Sequence, residues 1–212
     1  MRLFRPIHAL QFLYPEVIFR IKTDCRQLCL TFDDGPDPDS TPMILSILRE
    51  HHVKAIFFCS GEQSEKFPDL VTALKNEGHI IGNHCFHHSD GWRTNLCDYI
   101  NNVEKASSST SEVLFRPPYG HLTLTQYRTL KKKYRIVFWD IMPYDFDKSF
   151  GPANCLRILK KKTRNGSVIV MHDKPGSLVF DILNDYINYA NDLGFEFIIP
   201  DLFIPSKEKK LL

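Results

Sequence analysis

From about residue 26 onward, short apolar runs alternate with segments of helical periodicity. The runs at 27–33, 54–59, 80–83, 113–116, 135–139, 167–172 and 195–198 are nearly continuous in apolar residues, the pattern of strands buried on both faces. The segments 41–51, 70–77, 96–107, 123–132, 153–162 and 178–193 carry apolar residues three and four apart and predict amphipathic helices. Thr41-Pro42 reads as an N-cap followed by proline at the first helical position. Asn76-Glu77-Gly78 and Asp192-Leu193-Gly194 read as helix ends closed by glycine. Strand, helix, strand repeated about seven times predicts a parallel sheet, open or closed into a barrel. No internal repeat, low-complexity segment or second-domain linker interrupts it.

In a parallel barrel the chemistry gathers at the C-terminal ends of the strands. Asp33, Asp34, His84, Arg116, Trp139 and His172 all fall at or just past predicted strand ends. Asp33 and Asp34 are the most telling, because two adjacent carboxylates end an apolar run just before Gly35-Pro36 forces a turn. Strand side chains alternate in direction, so the two are expected to do different work. Like charges side by side at an apolar strand end need a cation or a proton to resolve them.

His84 and His88 form a His-x-x-x-His pair, which one helical turn would bring to a common face. With a carboxylate from another strand end they make two nitrogens and one oxygen, the ligand set of a catalytic zinc site. His87 falls off that face, and His8, His51, His52, His79 and His121 read as ordinary satisfied or exposed imidazoles. Arg116 precedes Pro117-Pro118, which gives its guanidinium a stiff mount beside the aspartates and predicts an ion pair with one of them. His172 ends the strongly apolar run 168–172 and is a general acid–base candidate.

Composition narrows the class without adding chemistry. The 212-residue chain is 43% hydrophobic and 25% charged with a formal net charge of +2, which fits a globular domain and gives no nucleic-acid footprint. Lys131-Lys132-Lys133 and Lys160-Lys161-Lys162 are expected at solvated helix ends. The six cysteines hold no CxxC pair and read as reduced thiols, with Cys29 and Cys59 in the core and Cys85 a buried thiol rather than a ligand. Residues 1–25 read as an N-terminal arm, 26–200 as the domain and 201–212 as a basic tail. Phe4, Leu10, Phe12, Leu13, Val17, Ile18 and Phe19 are expected to pack on the domain, with contact to a membrane surface as the alternative. No export signal or spanning segment of ~20 apolar residues is evident, so the expected location is cytoplasmic or peripheral to a membrane, not transmembrane.

Taken in order, Thr31-Phe32-Asp33-Asp34-Gly35-Pro36, His84-x-x-x-His88, Arg116-Pro117-Pro118-Tyr119-Gly120, Trp139 to Phe146 and Met171-His172-Asp173 resemble the polysaccharide deacetylase family, the NodB-homology group of carbohydrate esterase family four. The resemblance covers about residues 26 to 200. It implies a distorted, incomplete (β/α) barrel that removes acetyl groups, on nitrogen or sometimes oxygen, from an N-acetylated polysaccharide or oligosaccharide with a divalent metal. Zinc is the usual ion, with cobalt, nickel or manganese as alternatives.

Carried over by position, the resemblance makes Asp34, His84 and His88 the metal ligands and Asp33 the general base. Arg116 would pair with Asp33, the backbone N–H of Tyr119 would meet the oxyanion, and His172 would protonate the departing amine. Asp145 would orient His172. Phe146 stands where many members carry tryptophan, and Met142 where an aspartate is common. Trp92, Tyr119 and Phe146 are expected as sugar-stacking walls, with Trp92 as a core anchor the competing role. Asp140 reads as more structural than functional, and Lys174-Pro175-Gly176 translates into no substrate contact. Two other readings keep the scaffold: a hydrolase of small amides or imides, and a carbohydrate-binding protein without turnover.

Overall fold

The structure, a computed structural model, describes residues 2–7 and 9–204. His8 and residues 205–212, most of the expected basic tail, lie outside the described residues. In chain order the elements are α1 (Ala9–Leu13), β1 (Gln27–Asp34), α2 (Ser40–Glu50), β2 (Ile56–Cys59), α3 (Gly61–Lys66), α4 (Pro68–Asn76), β3 (Ile80–Asn83), α5 (Leu96–Ser107), β4 (Leu114–Phe115), α6 (Leu124–Leu130), β5 (Arg135–Ile136), α7 (Pro152–Lys162), β6 (Val168–His172), α8 (Val179–Asp192) and β7 (Glu196–Phe197). The strands form one parallel sheet in the order β5-β4-β3-β2-β1-β6, with β7 added on β1. This is an incomplete (β/α) barrel: the ladder ends at β5 on one side and β6 on the other, and helices clothe its outside.

The alternation of β1 separates two cores. Leu28, Leu30 and Phe32 face outward into a cluster with Ile44, Leu48, Ile182 and Tyr186 of α2 and α8. Cys29 faces inward with Ile56, Phe58, Leu114, Val137 and Val168. That two-sided burial is why the run carries few polar residues until its end. Register then sets the site, because Asp33 lies abreast of Phe58 and His172, and Asp34 abreast of Cys59.

The ladders of β4, β5 and β7 are shorter than the apolar runs 113–116, 135–139 and 195–198 that predict them. On the edge of β5 away from β4 the chain pairs with the arm: Val137 N–H still donates to Phe115 O of β4, while Ile18 N–H donates to Ile136 O and Phe138 N–H to Ile18 O. Ile18 bridges Val137 and Arg20 bridges Ser167, so residues 18–20 fill the gap between β5 and β6. Tyr14, Val17, Phe19 and Ile21 are buried, and Phe4, Leu10 and Ile18 pack against the cores. Phe12 and Leu13 depart from the expected packing: they stand on the outer side of α1, and Phe12 is 86% exposed.

Local corrections have local causes. Helix α2 begins at Ser40, ahead of the expected cap, and the Thr41 hydroxyl donates to Asp173 (Oγ1 to Oδ2, 2.7 Å) while accepting from the Asp37 N–H. Thr123 does cap α6, in a reciprocal box with Gln126. Gly78 and Gly194 end α4 and α8 with positive φ, as expected. The six cysteines are unpaired; Cys29, Cys59, Cys85 and Cys155 are buried. Asp140 is structural: Arg5, Arg164 and Ser167 surround its carboxylate. Among the described residues no helix is long and apolar enough to cross a membrane.

Candidate active site

At the C-terminal mouth of the barrel lies a cleft of about 340 Å³, lined by residues from every sequence motif singled out above. Its floor is Asp33, Asp34, His84 and His172; its walls are His88, Pro117, Tyr119, His121, Trp139, Met142, Tyr144, Phe146 and Lys174.

Asp33 follows the inward alternation of β1 and is 4% exposed. Its Oδ1 accepts from Arg116 Nη1 at 2.7 Å. Arg116 is fully buried, and its other N–H groups reach Thr31 Oγ1 and the carbonyls of Val137 and Phe138. The guanidinium lies 4.1 Å above the Phe58 ring. A buried carboxylate and a buried guanidinium are thus paired, and three further guanidinium N–H groups are satisfied by protein.

Asp34 departs from simple alternation. Its φ of 83° is left-handed, and this turns its carboxylate back over the mouth rather than away from it. His84 Nε2 consequently lies 3.9 Å from Asp33 Oδ2 and 3.6 Å from Asp34 Oδ1. The turn at Gly35 that follows is possible only without a side chain, since a Cβ there would collide with the Asp173 carboxylate.

The histidine pair converges by a route other than the expected helical turn. Residues 84–88 form no helix; left-handed φ at Cys85 (63°) and His88 (52°) folds the segment back on itself. The ring centroids of His84 and His88 end 5.0 Å apart, and His88 Nε2 lies 3.1 Å from Asp34 Oδ1. One ligand atom from each of Asp34, His84 and His88 falls within 4.8 Å of the others. His87 is exposed near Glu62, off this cluster, as the spacing predicts. Cys85 is buried away from it, and burial pushes its thiol up to about 12.

These three residues fit a divalent cation. Asp34 Oδ1 is buried and has no hydrogen-bond donor in bonding geometry, although two imidazoles point towards it. His84 Nδ1 is 2.7 Å from the Arg116 carbonyl, which leaves Nε2 as the lone-pair nitrogen facing Asp34. Burial, with a smaller contribution from His88, lowers the His84 pKa to about 4, so the ring is neutral and free to ligate. Burial opposes the ionised form of Asp34, but the His88 contact and the charges of His172 and Lys174 outweigh it and hold the carboxyl well below its usual range.

Across the cleft, His172 Nδ1 lies 2.9 Å from Asp145 Oδ1, and the His172 backbone N–H donates to Asp145 Oδ2. Burial depresses the imidazolium, yet Asp145, with Asp34 and Asp33, raises the His172 pKa above its ordinary value. The Phe146 ring packs edge-on against His172 at 4.7 Å. Tyr119, with φ 59°, stands over His88 and is 61% exposed. Trp92 is neither a core anchor nor a cleft wall: it is 64% exposed and stacks on His121, which does line the cleft.

Sequence reasoning missed His121, Tyr144 and Lys174. His121 is held by Asp90 (Nδ1 to Oδ1, 2.9 Å), and Tyr144 by the arm, its hydroxyl accepting from Leu3 N–H. Lys174 Nζ donates to Asp34 Oδ2 at 2.7 Å across a separation of 140 residues. None carries a local pattern that marks it.

A parallel half-barrel whose mouth gathers an Asp–His–His cluster able to hold a cation, an Asp–Arg pair and an Asp–His pair defines a hydrolase-like α/β scaffold. The polysaccharide deacetylase family model matches residues 20–139, and the chain belongs to that family, the NodB-homology group of carbohydrate esterase family four. It is 35% identical to a peptidoglycan-N-acetylglucosamine deacetylase of Bacillus cereus over 87% of this chain and 70% of that protein. To a chitooligosaccharide deacetylase of Rhizobium leguminosarum bv. trifolii it is 32% identical, over 71% of this chain and 73% of that protein. Among solved structures, the Bc1960 peptidoglycan N-acetylglucosamine deacetylase superposes with a TM-score of 0.84 at 32% identity, covering 94% of this chain and 97% of that one.

Proposed function

We propose that the protein is a metal-dependent deacetylase that hydrolyses the N-acetyl group of amino sugars in a peptidoglycan- or chitin-like polymer. The observation that carries this reading is the division of the two aspartates: Asp33 is paired to Arg116, while the orphaned Oδ1 of Asp34 faces two imidazoles. Asp34, His84 and His88 would hold the ion, zinc by preference for two nitrogens and one oxygen, with cobalt, nickel or manganese as substitutes. When bound, it polarises the acetyl carbonyl and acidifies the attacking water.

The chain's own groups do the rest. Asp33 takes a proton from the attacking water at Oδ2, the oxygen that Arg116 leaves free. Arg116 occupies Oδ1 of Asp33 and holds it out of reach of other cations. The backbone N–H of Tyr119 donates to the developing oxyanion. His172, kept protonated by Asp145, gives its proton to the departing amine. Tyr119 and Phe146 form facing aromatic walls for the sugar, and Trp92 acts only through His121. The arm (1–25), catalytic domain (26–200) and tail (201–212) are the corresponding parts of the chain.

Metal analysis of the purified protein, run beside acetate release from chitooligosaccharides, peptidoglycan fragments and acetylated xylan, tests the reading. Stoichiometric metal with acetate from the first two supports it. Metal-free protein that turns over an amide, or loaded protein that releases no acetate, overturns it.

A further inference from the structure

Asp34 uses its two oxygens differently. Oδ1 is buried, without a donor, and turned to His84 and His88. Oδ2 is taken by Lys174, whose Nζ lies 2.7 Å away. Lys174 is well placed for this hold. It directly follows Asp173, a buried residue whose N–H donates to the Asp33 carbonyl and whose carboxylate is clasped by Ser40 and Thr41. Its backbone is therefore tied to the same strand end that carries Asp34. The ammonium also lies 5.5 Å from the centre of the Phe146 ring, an aromatic face that suits a cation.

We infer that Lys174 is a positioning residue that keeps Asp34 a one-oxygen ligand and holds the ion less tightly than the triad alone would. The inference rests on the metal-dependent reading above. A carboxylate can offer a small cation either one oxygen or both, and the second oxygen would occupy a coordination position that water and substrate need. Lys174 closes that option by occupying Oδ2. Its positive charge also opposes the ion through the shared carboxylate, so both effects act in one direction: removing the ammonium tightens metal binding and fills coordination positions. Lys174 is half-exposed at the seam between the main cleft and an adjoining hollow lined by Ser60, Glu62, Gln63 and His87. The ammonium is thus accessible from solvent, and its loss leaves no cavity in the core.

The test uses the full chain stripped of metal by a chelator. Zinc affinity is measured by competition with a chromogenic chelator, and cobalt(II) is added separately to read coordination from its visible absorption. Relative to wild type, Lys174→Met should bind zinc about tenfold more tightly or more, with weaker cobalt absorption as the coordination number rises. Lys174→Gln separates the two effects: its amide still donates to Oδ2, so the cobalt spectrum should stay as in wild type while affinity rises. Lys174→Arg should restore both wild-type values. Equal or weaker zinc affinity in Lys174→Met, with an unchanged cobalt spectrum, overturns the inference while leaving the metal site standing. A wild-type protein that binds neither ion overturns the metal reading itself and the inference with it.

Discussion

Asp145 grips His172 at two points, accepting from the backbone N–H with one oxygen and facing ring Nδ1 with the other. The carboxylate is completely buried, and Ser177 Oγ donates to it as well. This fixes the ring's orientation and directs Nε2 to the cleft. Asp145→Asn should lower the rate of acetate release roughly tenfold to a hundredfold. The sign of the pH effect follows from the raised His172 pKa, which keeps the acid protonated above the ordinary histidine range. Without the Asp145 charge that pKa falls, so the basic limb of the pH–rate profile should move to lower pH. An unmoved limb would detach Asp145 from this role.

Asp33→Asn should abolish acetate release while leaving bound metal nearly unchanged, because Asp33 is assigned to proton transfer and not to ligation. Metal content of the purified variant, measured beside activity, reads this directly. A metal-free variant would dissolve the distinction between the two aspartates.

His84→Ala and His88→Ala should each strip the metal, and their effects should differ. His84 is buried with Nδ1 committed to the Arg116 carbonyl, whereas His88 is half-buried at the rim. Loss of His84 should therefore also lower the unfolding midpoint of the metal-free protein, and loss of His88 should leave that midpoint close to wild type. Thermal unfolding with and without chelator separates the cases, and a fully loaded variant would remove that histidine from the ligand set.

Arg116→Met should cost about 3–5 kcal/mol of stability, the range for breaking a buried ion pair from one side. The variant leaves Asp33 charged and unpaired and deprives the Val137 and Phe138 carbonyls of their donor. Denaturant unfolding measures this; a change within 1 kcal/mol would mean that water enters and replaces the guanidinium.

Asp173 predicts an opposite pH trend from that of an ordinary ion-paired carboxylate. Burial lifts its pKa to about 6, against hydrogen bonds from Ser40 and Thr41 that pull it down. The folded state therefore binds this proton more tightly than the unfolded chain does. Its contribution to stability is present below the unfolded carboxyl range and is lost as pH rises through about 6. The stability difference between wild type and Asp173→Asn, followed from pH 4 to 7 (roughly the window of the shift), should move against wild type as pH rises. A pH-independent difference would contradict the raised pKa.

Much of this site is legible in the chain because its pieces sit where apolar runs stop. The runs ending at Asp33, Asn83 and His172 become β1, β3 and β6, and the register of the parallel ladder carries their ends to one mouth. The illegible parts depend on backbone turns or on distant partners. Left-handed residues at Asp34, Cys85 and His88 decide how the triad converges, and none is a glycine that would announce the turn. The pairing of Lys174 with Asp34 joins residues 140 apart in sequence, and that of Tyr144 with Leu3 residues 141 apart. The arm's place on the outer edge of β5, where Ile18 meets Ile136 and Phe138, is likewise a distant pairing that periodicity cannot foresee.

That arm has a consequence for how the protein behaves in company. A sheet that stops short of closure presents two rows of unpaired amides and carbonyls, the kind of template on which neighbouring molecules polymerise. Residues 18–21 cover those rows from within the same chain, on Ile136–Phe138 at one lip and Gly166–Ser167 at the other. The stretch ahead of β1 thus works as a stopper. Pulled out or cut away, it would leave a sticky slot, and the molecule would be expected to fail first by clumping, before its catalytic groups had lost their places.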